Sequence, residues 1–233
     1  MLFNVAIDGP AGSGKTSVTF QLAKELGLQY LDTGATYRAA TLGCIENNIK
    51  STDEDGCRQM AQQVDVEFNP SDGKQITRFK QRDVSARIRD DDVTARVSEY
   101  SAVPVIRHTL VAYQQKISEK GGFIAEGRDI GTVVFKDSPC KIYLSASPEV
   151  RAERRAHEIQ SKGLHTDKPF QQLKEEILQS ITERDFSDST RTLAPLAIDA
   201  HATIFDTSSL TVDEVVAQLK AHIEQTIQGL SDK

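Results

Sequence analysis

The chain opens on an apolar, β-branched run, LFNVAID, that leads directly into Gly9-Pro10-Ala11-Gly12-Ser13-Gly14-Lys15-Thr16-Ser17. No other stretch restricts the fold as strongly. Positions 9–16 match GxxxxGK followed by Ser or Thr at every fixed position, a pattern that works where a buried strand turns sharply into a helix. Val18, Leu22 and Leu26 then recur at helical spacing and Gly27 stops the run, which predicts a helix from Gly14 to Gly27. Glycines let successive backbone N–H groups turn toward one centre, and the helix N-terminus adds partial positive charge. Lys15 reaches outer phosphates from a loop expected to be solvated, and the Thr16 hydroxyl suits Mg²⁺. The loop predicts binding of nucleoside triphosphate phosphates and leaves the reaction open, since switches, motors and kinases share it.

The remaining segments continue the alternation of strand and helix. LDTGATYRAATLGCIENN reads as a turn running into a helix. FIAEGRD and CKIYLSA read as buried strands, and HATIFDTSS as a last strand before a final helix from Thr211 to Gln228. SPEVRAERRAHEIQSKG reads as a helix with Ser147 as its cap and Pro148 at its first position. PFQQLKEEILQSITERD is an amphipathic helix. This order implies an α/β fold, a parallel sheet with helices on both faces. Between Val64 and Arg89 the pattern changes: VDVEFN, KQITRFKQ and DVSARI read as short strands around the turn PSDG, an antiparallel insertion.

Net charge and cysteine usage narrow the partners. A formal charge of −6 argues against a nucleic-acid polymer, so bound phosphates need a local positive cluster. Three cysteines, odd in number and widely spaced, fit reduced thiols in a cytoplasmic protein. The five histidines show no structural-zinc spacing. No apolar run approaches the ~20 residues of a membrane span, and the first residues lack the pattern of a signal peptide. The chain reads as self-sufficient, which favours a monomer.

Positive charge gathers at strand ends. Arg38 follows DTGATY, and Arg128 with Asp129 follows the strand FIAEG, at the carboxyl edge where open α/β sheets bind ligands. Arg151, Arg154 and Arg155 are spaced to share one helix face, as are Arg184, Asp188 and Arg191 if helix persists there. Guanidinium groups hold phosphate oxygens bidentately and stay charged when desolvated. Such a set suits phosphoryl transfer between two anions, which rests on positioning and electrostatics.

These segments together resemble the bacterial cytidylate kinases, of the nucleoside monophosphate kinase class. The carrying stretches are IDGPAGSGKTS, LDTGATYRAATL, AEGRDIGTVVF, KIYLSASPEVRAERR, ERDFSDSTRTLAPL and IFDTSSLTVDEV, in the family's order and across nearly the whole chain. The resemblance implies a P-loop parallel sheet flanked by helices, with a small antiparallel monophosphate-binding insertion near 64–89 and a helical lid near 154–168. The core is then 1–63, 90–153 and 169–233. It implies transfer of the γ-phosphoryl group of ATP to CMP or dCMP with Mg²⁺. Gly9 to Ser17 would cradle ATP, with Thr16 on the metal. Lys15, Arg128, Arg154 and Arg155 would serve catalysis, the last two closing the lid. Thr33, Arg38, Arg128, Arg184 and Arg191 would hold the monophosphate or its ribose, Asp188 the ribose hydroxyls, and Ser98, Arg107 and Asp129 the cytosine edge.

The reading of the base has its own chemical logic. Cytosine donates from N4 and accepts at N3 and O2, so a carboxylate takes the first and Arg107 and Ser98 serve the others. Uracil would turn a carbonyl toward Asp129. Two departures from the family pattern stand out. Asp32-Thr33-Gly34 replaces a more usual Asp-Ser-Gly and keeps the hydroxyl. His201 stands where the family often has aspartate, with Asp199 nearby. A P-loop kinase for another acceptor and an ATP-binding regulatory module are the competing readings; the complete acceptor-side arginine set speaks against the second.

Overall fold

The structure, a computed structural model, describes residues 3–163 and 168–231. Five parallel strands make the central sheet: β1 (Val5–Asp8), β2 (Gln29–Asp32), β6 (Phe123–Gly127), β7 (Cys140–Ser145) and β8 (Thr203–Asp206), in the order β2-β6-β1-β7-β8. The apolar character of the inner strands β1, β6 and β7 follows from burial on both faces, while the edge strands β2 and β8 are part exposed. Val5, Ile7, Ile124, Ile142 and Leu144 pack on one side with Val18 and Leu22 of α1 (Lys15–Leu26) and Leu219 and Ile223 of α8 (Val212–Ser231). Ala6, Leu31 and Ala125 face the other way, against Ile130 and Val134. Alternate residues of one strand thus enter two different cores, as pleating requires.

A third core lies beside the sheet. It joins α2 (Thr33–Glu46), α3 (Glu54–Ala61), α4 (Asp91–Ser101) and α5 (Pro104–Ile117) to a separate three-stranded antiparallel sheet, β3 (Val64–Phe68), β4 (Gln75–Phe79) and β5 (Arg82–Asp83). Gln75 of β4 ties this sheet to the main one: its amide takes the Asp32 N–H at 2.8 Å and donates to the Asp32 carbonyl at 3.1 Å. Two long helices, α6 (Pro148–Ser161) and α7 (Phe170–Thr190), pack on each other and complete the fold.

Local chemistry sets the boundaries. Gly14 caps α1 at φ 85° without any side-chain hydrogen bond, which leaves the first backbone donors of the helix free of a protein cap. Gly27 ends it at φ 66°. Ser147 accepts from Val150 N at 3.3 Å with Pro148 in the first turn of α6, and Asp32 accepts from Ala35 N at 2.9 Å to start α2. Gly9 lies where the loop crosses β7, and a Cβ there would meet the Leu144 carbonyl oxygen at 2.2 Å. Only glycine fits so close an approach.

The structure corrects several expectations. LDTG is not wholly a turn: Gln29–Asp32 forms edge strand β2. The helices α3, α4 and α5 had no assignment from the sequence. DVSARI is not a strand beyond Asp83; Asp83 accepts from Ser85 N, and the chain turns into a short 3₁₀ segment at Arg87–Arg89. Helix α7 persists past Asp185 to Thr190, and α8 runs three residues beyond Gln228. Of the expected lid, residues 154–161 are the end of α6 and 164–167 lie outside the described residues. All three cysteines are buried and free of disulfides. Among the described residues, no helix is long and apolar enough to cross a membrane.

Candidate active site

The phosphate loop follows β1, and its lysine is turned inward. Lys15 Nζ donates to Gly9 O at 2.7 Å, Pro10 O at 2.6 Å and Ser13 Oγ at 3.2 Å. It is only 6% exposed although Gly12, Thr16 and Ser17 of the same loop are open to solvent: the loop wraps its own ammonium. Burial and the field of Arg128 lower its pKa to about 7, against opposing pulls from Glu126 and Asp8. Asp8, also buried, accepts from Ile130 N at 2.8 Å and Gly131 N at 2.7 Å, and burial raises it to about 6. That carboxylate anchors the turn carrying Arg128 and Asp129. Thr16 is exposed at the mouth of the loop, and its hydroxyl and the Tyr30 phenol both bond Glu126. Burial raises the pKa of Glu126.

Beside this loop lies a hollow lined by Thr33, Arg107, Arg128, Asp129, Arg184, Asp188 and Arg191, together with Tyr37 and Ser101. Its charges alternate. Arg107 donates to Asp129 at 2.5 Å, and Arg191 lies 3.5 Å from Asp129 and 3.7 Å from Asp188. Arg128 Nε donates to Asp188 at 2.8 Å. None of these five side chains is more than 17% exposed. Burial pushes the Asp188 carboxyl up, but Arg128 and Arg184 prevail and hold it below the usual range. Among the described residues, Arg184 has no such carboxylate contact and its buried Nε has no hydrogen-bond partner; burial with the fields of Arg128 and Arg38 lowers its pKa to about 10. Guanidinium groups facing one another across a hollow in this way attract an anion.

Most of the expected acceptor-side residues therefore meet. Arg184, Asp188 and Arg191 share a face because α7 continues to Thr190, with Arg191 capping it. Arg38 stands just behind, donating to Thr94 Oγ1 at 2.8 Å, and its charge is felt at Arg184. Thr33 donates to the Glu126 carbonyl at 2.7 Å. Ser98 does not line the hollow; Ser101, one turn later on α4, does, and its carbonyl accepts from Arg107 at 3.1 Å. Arg151, Arg154 and Arg155 lie within one arc of about 100° on α6, as their spacing implies, yet their side chains part toward three different sets of partners. Arg151 is buried against Ala11 and Asp185, Arg154 donates to the Thr207 and Leu210 carbonyls, and Arg155 pairs with Glu158 in solvent. Asp199 pairs with Lys141 at 2.9 Å and accepts from His201 N, leaving the His201 side chain exposed.

Sequence reasoning missed four residues here. Tyr37 lies under Arg107, 5.1 Å from ring centre to guanidinium carbon, and its buried hydroxyl has no hydrogen-bond partner among the described residues. One turn after Thr33 on α2, it faces the same way, which the i, i+4 spacing reveals. Glu126 and Asp8 are the last polar residues of adjacent strands, at the edge where Arg128 drew attention. Tyr30, which fixes Glu126, left no signal beyond its place in an apolar run.

A parallel sheet with a lysine-bearing phosphate loop, facing a second arginine-lined hollow, defines the class of P-loop kinases that act on small phosphorylated acceptors. The family model described as cytidylate kinase matches residues 5–225. The chain belongs to the cytidylate kinase family. A cytidylate kinase of Streptococcus mutans is 43% identical over 235 residues, covering 100% of this chain and 99% of that one. One from Carboxydothermus hydrogenoformans is 42% identical over 215 residues, covering 92% and 94%. The solved structure of an uncharacterized protein from Eubacterium ventriosum aligns with a TM-score of 0.50 at 12% identity, over 97% of this chain and 99% of that one, a likeness of fold alone. The chain is a nucleotide kinase, and its family uses ATP and small nucleotides.

Proposed function

We propose that this protein transfers the γ-phosphoryl group of ATP to CMP or dCMP, giving ADP and CDP or dCDP, as a cytoplasmic monomer. The observation that carries the reading is the alternating network Arg107–Asp129–Arg191–Asp188–Arg128, set in one hollow beside Lys15. In this reading the acceptor phosphate meets Arg38, Arg128 and Arg184, the ribose meets Asp188 and Arg191, and Asp129 accepts from the cytosine amino group. Arg107 is poised for N3 or O2, with Ser101 and Tyr37 on the same wall and Ser98 one turn back on α4. The insertion at 64–89 then belongs to the acceptor side and 154–168 to the lid, where Arg155 is free to swing from Glu158.

The residues at the loop mouth fit Mg²⁺. Thr16 offers an exposed hydroxyl and Glu126 lies within hydrogen-bond reach of it, while no cluster of three metal-binding side chains occurs among the described residues. A hard cation that keeps most of its shell as water and phosphate oxygen needs no more from the protein. When bound, it would supply charge neutralisation between the β- and γ-phosphates. The chain's own part is positional. Loop N–H groups and Lys15 hold the triphosphate, and the arginines bring an anionic acceptor oxygen in line with it. That oxygen is already ionised near neutral pH, so no side chain has to take a proton.

The test is ADP formation with CMP, dCMP, UMP, AMP and dTMP in parallel. CMP and dCMP are expected to lead; equal rates with AMP would remove the cytosine assignment. Asp129→Asn should narrow the preference for CMP over UMP by roughly 10-fold or more. An unchanged ratio would mean that another group reads the base.

A further inference from the structure

One pair of charges lies outside the acceptor hollow and is unused by this mechanism. Arg151, at the first turn of α6, is 3% exposed and bonds three separate parts of the fold. Its Nε donates to Ala146 O at 2.9 Å, and its Nη1 donates to Ala11 O at 2.8 Å and forms an ion pair with Asp185 Oδ2 at 2.7 Å. Asp185, on α7, in turn accepts from Ala11 N at 3.4 Å. Both backbone groups of one phosphate-loop residue are thus held by an ion pair that joins two helices. The next loop residue is as close: a Cβ on Gly12 would lie 3.4 Å from Arg151 Cβ and 3.7 Å from Ile181 Cδ1 of α7.

The same helix reaches the acceptor hollow. Arg184 immediately precedes Asp185, and Asp188 follows three residues later; both line the hollow. The stripe Ile181, Arg184, Asp185, Asp188 therefore touches the donor loop with two members and the acceptor pocket with the other two. We infer that the Arg151–Asp185 pair couples the two substrate sites: it positions the phosphate loop from α7, so that donor binding sets the pose of Arg184 and Asp188.

The physical cause is a competition at Ala11. Asp185 places a negative charge against a loop whose N–H groups must receive a triphosphate, through a hydrogen bond near the long limit. An arriving anion repels that carboxylate and competes for the N–H, while Arg151 retains both Ala11 O and Asp185. The helix moves as a unit, so a shift at Asp185 is felt within one turn at Arg184 and Asp188. Coupling needs such a difference in contacts between the two states, and it acts equally in both directions. Asp185 and Arg151 are positioning residues in this scheme and touch neither reacting atom.

The inference rests on the proposed ATP and CMP sites, and its test separates the two ideas. Calorimetry gives the Kd of CMP alone, and again with a non-hydrolysable ATP analogue and Mg²⁺, for the wild type, Asp185→Asn and Arg151→Lys. The wild type is expected to bind CMP about fivefold tighter or more with the analogue present. Asp185→Asn should bind CMP alone as the wild type does but lose most of that gain. Arg151→Lys should lose it too, because one ammonium does not reproduce the guanidinium's three-way geometry. A wild type without the gain, or an Asp185→Asn protein that keeps it, overturns the coupling. If Asp185→Asn does not fold by circular dichroism, Arg151→Lys decides by the same criterion, and the wild-type measurement stands regardless. Failure of the wild type to bind CMP at all would instead strike the proposed function.

Discussion

Lys15 shows how a single residue's surroundings change its chemistry. Three oxygens of its own loop hold the ammonium, yet burial and Arg128 bring its pKa to about 7. At pH 8 much of it is therefore neutral, and a triphosphate that restores its charge must draw in a proton. Calorimetry of the ATP analogue at pH 8, in buffers of different ionisation enthalpy, should register uptake approaching one proton. Lys15→Arg, which stays charged, should abolish it; equal uptake in both proteins would refute the assignment. The sign for stability follows from the same shift. The unfolded chain holds more protons than the folded one between about 7 and the ordinary lysine value, so this group's contribution improves as pH rises through that window. None of this was legible in the sequence. GxxxxGK locates the lysine, but the charges that tune its pKa, Arg128 and Glu126, arrive more than a hundred residues later.

At the scale of elements, legibility followed period and punctuation. α1 and α6 were readable because glycine, serine and proline mark their ends, and β1, β6 and β7 because strands buried on both faces are continuously apolar. β2 was not, since four residues, QYLD, run straight into a helix whose cap, Asp32, belongs to the same motif. α4 and α5 meet at Val103-Pro104 and share the buried cluster around α2, so their apolar faces make sense only once that partner is in place. Arg151, Arg154 and Arg155 illustrate the same limit: spacing fixes direction on a helix, while the neighbours decide what each residue meets. The Ser147 cap offers a clean test. Ser147→Ala should lower stability by about 1 kcal/mol in urea denaturation through loss of the Val150 bond. A change within error would show that Pro148 alone starts the helix.

In the whole molecule, the sheet has its phosphate loop near the centre, and the arginine-lined hollow beside it is drawn from α2, α4, α5, β6 and α7. Among the described residues, helix α8 contributes nothing to the hollow; through Val215, Val216, Leu219 and Ile223 it packs against α1 and into the core behind β1 and β7. Leu219→Ala, at a fully buried position, should cost roughly 2–5 kcal/mol of unfolding free energy while leaving the KM for CMP near the wild-type value in the protein that remains folded. A large rise in KM would show that the back of the sheet controls the pocket.

The paired charges of the acceptor hollow have one more consequence, for the crowd of small anions any cell contains. Arg107, Arg128 and Arg191 each already have a carboxylate companion, so inorganic phosphate or sulfate that claims one of them must break an ion pair and leave a buried partner stranded, a cost that Arg184 does not carry. In the proposed reading, a nucleotide brings a sugar and a base to occupy Asp188 and Asp129 at the moment its phosphate claims the arginines. The three paired guanidinium groups thus resist the commonest mimics of that ligand through the company they keep, with no need to exclude them by size.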